Sequence, residues 1–312
     1  MTTDSNSTRW LDRKIITSPA INLEILLYLV ILVLALFSRF YILGARVMSH
    51  DENSHVYYSW RFFRGEGFQH DPLMHGPLQF HLIAPVYFMF GDNDFTARIP
   101  AALFSVATVM FLWFYRRYLG RVGALIGAVL MLISPYMMYY GRYVRNEAFV
   151  AFFGVVMLWA MLRFLETGKP VYLYTLTTIN VLHFTAKETS FIYTAQAMLF
   201  LAGYFIYRIV GIAWKKPAYR DYFLLALIAA LILIGAAGGV LFFTRPPAGP
   251  VPGLTDVPAA PGQEFTPPPA SEPSALLLAL VGLATVALLT AGYFLLRGYG
   301  WERLKKTAPS GC

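Results

Sequence analysis

The sequence predicts an all-α integral membrane protein, a polytopic helical bundle of about eight transmembrane helices with both termini on the cytoplasmic side. Hydrophobic residues make up 57% of the 312 residues and charged residues only 13%, which is far from the balance of a soluble domain. Apolar runs long enough to cross a bilayer recur along the chain. The formal charge of +8 lies mostly in short basic clusters between these runs, which is typical of membrane orientation and argues against nucleic-acid binding.

The N-terminal third contains one span and a large outer loop. Residues 1–20 are predicted to be cytoplasmic, Ile21–Leu43 is the first span, and residues 44–98 form the loop. Within this loop, Ser54–Phe63 has the pattern of a short amphipathic helix. Gly76–Phe90 is apolar but short, and if it crossed the membrane the next basic cluster would lie opposite the basic N-terminus. We therefore expect this segment to lie in the membrane interface.

Seven further spans follow from the remaining apolar runs. With the N-terminus inside, the basic clusters between them fall at cytoplasmic ends, as the positive-inside rule requires. The predicted spans are Ile99–Tyr115, Val122–Tyr140, Ala148–Leu165, Val171–Ala186, Phe191–Tyr207, Tyr222–Phe243 and Ala275–Leu296.

The sequence also predicts how these spans are grouped. Residues 21–243 form one membrane domain, and residues 244–274 form a Pro-rich, disordered outer loop. Residues 275–296 form the last transmembrane helix, and residues 297–312 form a cytoplasmic tail. The single cysteine, Cys312, excludes an intramolecular disulfide.

The predicted topology places three groups of charged residues on the same outer face. The spans were assigned from their apolar length and from the basic clusters between them, so this placement is an independent observation. Charged groups at membrane level are costly and commonly mark a functional site. We therefore expect one aqueous site that contains Asp51 and Glu52, then Arg142, Arg145 and Glu147, and finally Lys187 and Glu188.

Acids that face bases at a membrane surface suit the transfer of a sugar from a polyprenyl-phosphate carrier. Arg142, Arg145 and Lys187 would hold the negative charge of the departing phosphate. Asp51 or Glu52 would take the proton of the acceptor hydroxyl in a single displacement that inverts the anomeric carbon. The expected substrate pocket is lined by His50, His75, Glu147 and Glu188.

Four short motifs follow one another along the predicted outer face. They are His50-Asp51-Glu52, Met74-His75-Gly76-Pro77-Leu78, Ala97-Arg98-Ile99-Pro100, and a loop that runs from Ser134-Pro135 to Arg142-Tyr143-Val144-Arg145-Asn146-Glu147. In this order they resemble the GT-C superfamily of membrane glycosyltransferases. The branch they are most similar to contains the protein O-mannosyltransferases and the aminoarabinose transferases.

The resemblance covers residues 20–210 and implies a GT-C-like catalytic domain within residues 21–243. It implies that Asp51 is the catalytic base and that Arg142, Arg145 and Lys187 lie near the lipid phosphate. It also implies an interfacial helix at Gly76–Phe90, in agreement with the charge argument.

The chain departs from this family pattern at two places. His75 and Gly76 stand where the family has lysine and proline, so phosphate contact there is an open question. The large C-terminal part of many relatives has no counterpart, so we expect either a shortened chain or a short subfamily.

The expected partners are a polyprenyl-phosphate-linked sugar and a protein, lipid or glycan acceptor. The protein itself is expected to be a multi-pass protein of the plasma membrane. The sequence has no Walker or Rossmann glycine pattern, which argues against a nucleotide-sugar donor. No cofactor is expected. Asp51 and His55 have the helical i, i+4 spacing of metal ligands, but the histidine spacing of the loop matches no standard site, so no metal is assigned. The loop histidines are His50, His55, His70, His75 and His81.

Simpler roles exist for the same residues. Asp51 and Glu52 could only cap the helix that follows, and the two loop arginines could only reach lipid headgroups. Lys187 and Glu188 could neutralise each other at the end of a span. At the level of the whole protein, the alternatives are a non-catalytic subunit that binds the lipid carrier, and a transporter or flippase-associated membrane protein.

Overall fold

The computed structural model describes residues 9–17, 20–68, 75–244 and 274–307. The chain divides into two compact units, of which the first runs through Leu201 and the second begins at Ala202. The remaining residues lie outside the described ranges. They include His70, Met74 and most of the Pro-rich loop, together with the end of the predicted tail and Cys312.

The first unit begins with a small antiparallel hairpin and continues as helices. The hairpin pairs β1 (Lys14–Thr17) with β2 (Ala20–Asn22). The helices are α1 (Leu23–Phe40), α2 (His50–Phe63), α3 (Leu78–Phe90), α4 (Asp94–Phe111), α5 (Arg116–Ile133), α6 (Pro135–Tyr140), α7 (Glu147–Thr167), α8 (Pro170–Ala186) and α9 (Ser190–Val210), of which α9 continues into the second unit.

Local sequence explains where these helices begin. Asn22 caps α1 by accepting a hydrogen bond from the Ile25 N–H at 2.9 Å. Asn93 caps α4 in the same way, by accepting bonds from the N–H groups of Phe95 and Thr96 at 3.0 Å each. Between Glu24 and Ser38, α1 is apolar on all sides. Its outward side chains such as Val33 are exposed, which is typical of a lipid-facing helix.

Six segments of the described chain are long and apolar enough to cross a membrane, so the protein is a multi-pass membrane protein. The sequence predicts eight spans, of which seven each overlap one long helix of the structure and Val122–Tyr140 overlaps two, α5 and α6. Asp94–Ile133 is one of the six segments although it contains both α4 and α5, and its helical geometry is broken at Gly120, where φ is +73°. Helix α8 has only 17 residues and so is absent from the six. The number eight stays a prediction.

Helix α3 is short, as the sequence indicates. Its 13 residues span about 20 Å, which is less than the ~30 Å hydrocarbon core, and Pro85 lies inside it. The interfacial position of this segment stays a prediction that its length supports.

Two predicted boundaries are wrong. Helix α2 begins at His50 rather than at Ser54, so Asp51 and Glu52 lie in its first turn. The predicted span Val122–Tyr140 is two helices, because α5 ends before the Ser134–Pro135 step, at which proline cannot continue a helical hydrogen-bond ladder.

The core of the first unit lies between α1, α4 and α5. Small residues let these helices approach closely, since Ala35, Ala102 and Ala128 have no exposed surface. Larger side chains such as Val109 and Leu132 fill the remaining space. A second apolar cluster joins α4 to α7 and α8 through aromatic rings, among them Phe104, Phe149 and Phe153.

In its described residues, the second unit contains the end of α9 and three further helices. They are α10 (Pro217–Thr244), α11 (Ala275–Leu295) and α12 (Trp301–Thr307), and a π-helical turn connects the last two. Its core is built from Ile209, Trp214, Phe223, Ala291 and Tyr299.

Candidate active site

Asp51 lies in the first turn of α2 with its side chain 53% exposed. Arg145 reaches it from the loop between α6 and α7, and its Nη1 donates to Asp51 Oδ2 at 2.6 Å. The other carboxylate oxygen, Oδ1, has the exposed His50 ring at 3.9 Å. Asp51 is therefore oriented by one arginine and open on its other side.

The contact between Asp51 and Arg145 continues into a chain of alternating charges. Arg145 Nε lies 3.6 Å from Glu147 Oε2, and Lys187 Nζ donates to Glu147 Oε1 at 2.7 Å. Glu147 is the first residue of α7, and Lys187 follows the last residue of α8. We call these four residues the polar chain: Asp51, Arg145, Glu147 and Lys187.

A second contact ties the segment before α3 to the end of α8. His75 Nδ1 lies 2.7 Å from Glu188 Oε2, next to Lys187. Partial burial would raise the pKa of Glu188, but hydrogen bonds from its own backbone and from His75 outweigh burial, and the pKa is lowered. Gly76 is required beside His75, because a Cβ there would lie 2.0 Å from the Thr185 carbonyl oxygen.

Glu52 lies in a different environment from its neighbour Asp51. Its side chain is 0% exposed, and five hydrogen bonds reach its two oxygens. Arg98 donates twice, from Nε to Oε1 at 2.9 Å and from Nη2 to Oε2 at 3.0 Å. The other donors are Arg46 Nη2 and the backbone N–H groups of Ser49 and Val144.

These donors determine the charge state of Glu52. Burial alone would raise the pKa of Glu52, but the hydrogen bonds from Arg98, Val144, Ser49 and Arg46 outweigh burial and hold the pKa below its ordinary value. Glu52 is therefore an ionised and saturated acceptor that joins the start of α2 to α4 and to the α6–α7 loop. We call Glu52, Arg98 and Arg46 the buried cluster.

Arg142 does not join the polar chain. Its Nη1 donates to the Ser38 carbonyl at 2.7 Å and its Nη2 to the Tyr41 carbonyl at 2.9 Å, at the end of α1. Burial, and then the charges of Arg98 and Arg46, lower the pKa of Arg142. The structure therefore places Arg142 beside the buried cluster, while the other expected phosphate ligands, Arg145 and Lys187, lie in the polar chain.

Three buried polar side chains near these motifs have no assigned role in the sequence analysis. His55 packs against the rings of His75 and Phe80, with centroids 6.3 and 5.9 Å away. Burial, and then the charges of His75 and Arg145, lower the pKa of His55 to about 4, so the ring is neutral at pH 7. The amide groups of Gln79 and Asn146 are buried without a hydrogen-bond partner among the described residues.

The signals for these residues in the sequence are that they lie in or beside the motifs and that His55 follows Asp51 at i, i+4 spacing. Asn146 lies between Arg145 and Glu147, and Gln79 directly follows Leu78. Buried amides that lack protein partners are costly, so we expect them to contact water or substrate. Among the described residues, no group of three or more His, Cys, Asp and Glu side chains could hold a metal ion. Metal-independent transfer stays a prediction.

An apolar cavity of 590 Å³ lies beside α7 and α9. Its lining on α7 runs from Ala151 to Leu162, a distance of about 17 Å along the helix axis. Its lining on α9 runs from Tyr193 to Phe200. The cavity thus begins one helical turn after Glu147 of the polar chain and continues away from it.

Comparison with known proteins identifies one family. A family model described as dolichyl-phosphate-mannose-protein mannosyltransferase matches residues 74–237, just over half of the chain. The matched range contains Arg145, Glu147 and Lys187 of the polar chain and all of the apolar cavity. No curated protein and no solved structure gives a significant match.

Proposed function

Because the chain belongs to the dolichyl-phosphate-mannose-protein mannosyltransferase family of membrane glycosyltransferases, we propose that it transfers a sugar from a polyprenyl-phosphate carrier to an acceptor hydroxyl. The reaction is placed at the outer face of the plasma membrane. The observation that carries the proposal is the polar chain, in which an open carboxylate, Asp51, is bonded to Arg145, and Glu147 connects Arg145 to Lys187.

Arg145 and Lys187 are assigned to the donor phosphate. Each cation is already bonded to a carboxylate. The donor phosphate would therefore bind beside existing ion pairs rather than to isolated cations. Guanidinium and ammonium groups stabilise the charge that develops on the departing phosphate oxygen, and no metal ion is needed for that purpose. Glu188, His75, His50 and Glu147 are assigned to the sugar pocket, where carboxylate and imidazole groups can accept hydroxyl hydrogen bonds.

Asp51 is assigned as the general base. The acceptor oxygen forms a bond to the anomeric carbon while the bond from that carbon to the phosphate oxygen breaks. The acceptor proton goes to the Asp51 carboxylate, and the polyprenyl phosphate leaves with the electron pair. A single displacement of this kind inverts the anomeric carbon. Glu52 is not assigned to this step, because both of its oxygens are occupied and buried.

The apolar cavity is assigned to the isoprenoid chain of the donor. It follows α7 for about three turns from a point near Glu147, so a phosphate held by Lys187 would have its apolar chain beside α7 and α9. Burying that chain is favourable at roughly 25 cal/mol per Å² of apolar surface.

The test uses the purified full chain in liposomes with a panel of radiolabelled polyprenyl-phosphate sugars. Wild type is compared with Asp51→Asn and with Glu66→Gln, which removes an exposed carboxylate of the same loop. We expect wild type and Glu66→Gln to consume one donor, with or without a chelator, and Asp51→Asn to consume none. Donor binding without consumption by any of the three proteins would favour the alternative, a non-catalytic subunit that binds the lipid carrier.

A further inference from the structure

A second cavity of 350 Å³ is lined by three arginines, Arg46, Arg98 and Arg142. It shares no lining residue with the apolar cavity and contains no member of the polar chain. Its volume is near the lower end of the ~300–1,000 Å³ that is usual for small-ligand sites. The cavity is therefore separate from the proposed transfer site and large enough for a small charged group.

The charges around this cavity do not balance. Arg98 and Glu52 neutralise each other, and the acceptors Leu43 O, Arg46 O, Met48 Sδ and Glu52 take every N–H of Arg98. Arg46 shares the same Glu52 carboxylate. In the described ranges, Arg142 donates only to the neutral carbonyls of Ser38 and Tyr41. Three guanidinium groups thus face one carboxylate, which leaves a surplus of two positive charges.

A further arginine binds the same residue as Arg142, Ser38, and adds to this surplus. Arg39 is 0% exposed, and within the described part of the chain it donates only to neutral oxygens, those of Ser38, Ser105, Met131 and Leu132. Like charges in a partly buried site repel strongly, and the pKa of Arg142 is lowered first by burial and then by the charges of Arg98 and Arg46. An anion in the cavity would relieve the repulsion.

The donors that remain available indicate the class of anion. Arg46 binds Glu52 through Nη2 and lies over the rings of Tyr139 and Tyr143, 5.5 and 5.0 Å from their centroids, while its side chain stays 49% exposed. Arg142 donates one N–H from each terminal nitrogen, and its Nε–H has no acceptor in the described part of the chain. Two guanidinium forks on one cavity match the oxygens of a phosphate, which arginine binds through paired hydrogen bonds.

The position of the cavity agrees with a phosphate at headgroup level. Arg142 binds backbone at the end of α1, a helix long enough to cross the membrane, and the exposed ring of Tyr139 lies at the rim. Tyrosine at the end of a span is typical of the membrane interface. We propose that this cavity is a second anion site that binds a phosphate group, from an anionic lipid headgroup or from free phosphate. Binding there requires no glycosyl transfer.

The test measures ligand-dependent melting of the purified full chain in neutral detergent. The probes are dihexanoyl phosphatidic acid, which carries a lipid phosphate, and inorganic phosphate. The variants are Arg142→Gln, which removes one guanidinium, and Met138→Glu, which adds a carboxylate to the lining without removing an arginine. Met138→Gln is the neutral match for the second variant. Arg64→Gln, an exposed arginine at the end of α2, and Lys187→Gln, in the polar chain, are the charge controls.

We expect Arg142→Gln and Met138→Glu each to weaken binding at least tenfold, as the loss of a charge-assisted bond predicts, while the three controls bind as wild type does. Stabilisation by the lipid alone would identify a headgroup as the source, and equal stabilisation by both probes would identify free phosphate. The proposal is overturned if Lys187→Gln loses binding and Arg142→Gln keeps it, or if Met138→Glu and Met138→Gln behave alike.

Discussion

Asp51 and Glu52 are neighbours in sequence, yet they belong to two regions with opposite properties. The polar chain is open at its Asp51 end, where the Asp51 side chain is 53% exposed. The buried cluster around Glu52 is closed, with that side chain 0% exposed and both oxygens saturated. One residue of helix rotates a side chain by about 100°, which is enough to turn one carboxylate towards the site and the other into the protein.

The comparison shows how one acidic pair can serve two purposes. Glu52 holds the start of α2 against α4 and the α6–α7 loop, because Arg98 and the Val144 N–H both bind it. Since that attachment fixes the first turn of α2, it also fixes where Asp51 lies relative to Arg145. The buried acid therefore positions the exposed one.

The largest expected effect comes from breaking the buried cluster. Glu52→Gln should destabilise the protein by about 3–5 kcal/mol, because Arg98 would remain buried without a counter-charge. Folded yield and melting temperature in detergent would measure the loss. Glu66→Gln breaks the exposed pair with Arg61 and should cost about 0–1 kcal/mol. Equal losses in the two variants would show that the buried cluster has no special structural role.

A somewhat smaller effect concerns His55, which packs against the rings of His75 and Phe80. Its pKa is lowered from 6.5 to about 4 in the folded protein, chiefly by burial and then by the charges of His75 and Arg145. Below pH 6.5 the unfolded chain binds a proton at His55 that the folded protein does not bind. The free energy of unfolding is therefore unaffected by His55 above pH 6.5 and falls as the pH drops towards 4, by about 3 kcal/mol in total.

His55→Leu should remove this pH dependence. Melting temperatures of wild type and variant, measured between pH 7 and pH 4.5, would show a steeper fall for wild type. Asp51 and Glu147 also face His55, but both residues are present in both proteins and their contributions cancel in the comparison. Parallel curves would mean that His55 is protonated in the folded state or exposed to solvent.

The next effect concerns donor binding by the polar chain. Lys187→Gln should raise the KM for the donor by roughly 30-fold, which corresponds to about 2 kcal/mol for one charge-assisted bond. Initial rates over a range of donor concentrations would measure the change. Lys169→Gln, at the opposite end of α8, is the matched control and should leave KM unchanged. A similar KM in all three proteins would remove Lys187 from the donor site.

The smallest effect is expected at His50. Its side chain is fully exposed and lies 3.9 Å from Asp51, so His50→Ala should change the transfer rate by less than about threefold. The rate at saturating donor measures this change. A loss as large as that of Asp51→Asn would place His50 in the reaction rather than at the edge of the pocket.

Much of this organisation could be predicted from the sequence. Apolar length located the helices that were expected as spans, although Val122–Tyr140 is divided into two helices, and the motifs led to the correct family. The same topology predicted that Asp51, Arg145, Glu147 and Lys187 would share a site, and the structure brings them into one chain of contacts. This was possible because these residues lie at or near the ends of spans, and the lengths of the apolar runs show where the spans end.

The roles within the site depend on contacts that no local pattern encodes. Arg98 is 46 residues from Glu52, and nothing in the sequence indicates that it binds Glu52 rather than Asp51. Arg142 and Arg145 are three residues apart, yet the short loop turns one towards α1 and the other towards Asp51. The start of α2 at His50 likewise depends on Glu52 accepting the Ser49 N–H.

We assign the chemistry to Asp51 and a structural role to Glu52. The two roles are distinguished by the single-turnover transfer rate per folded molecule for Asp51→Asn and Glu52→Gln, with the folded fraction taken from size-exclusion fluorescence. Asp51→Asn should fold as wild type does and transfer about 10²–10⁴-fold more slowly. Glu52→Gln should fold poorly, while its folded fraction keeps a rate within tenfold of wild type. A well-folded Glu52→Gln that is inactive, beside an active Asp51→Asn, would assign the chemistry to Glu52 instead.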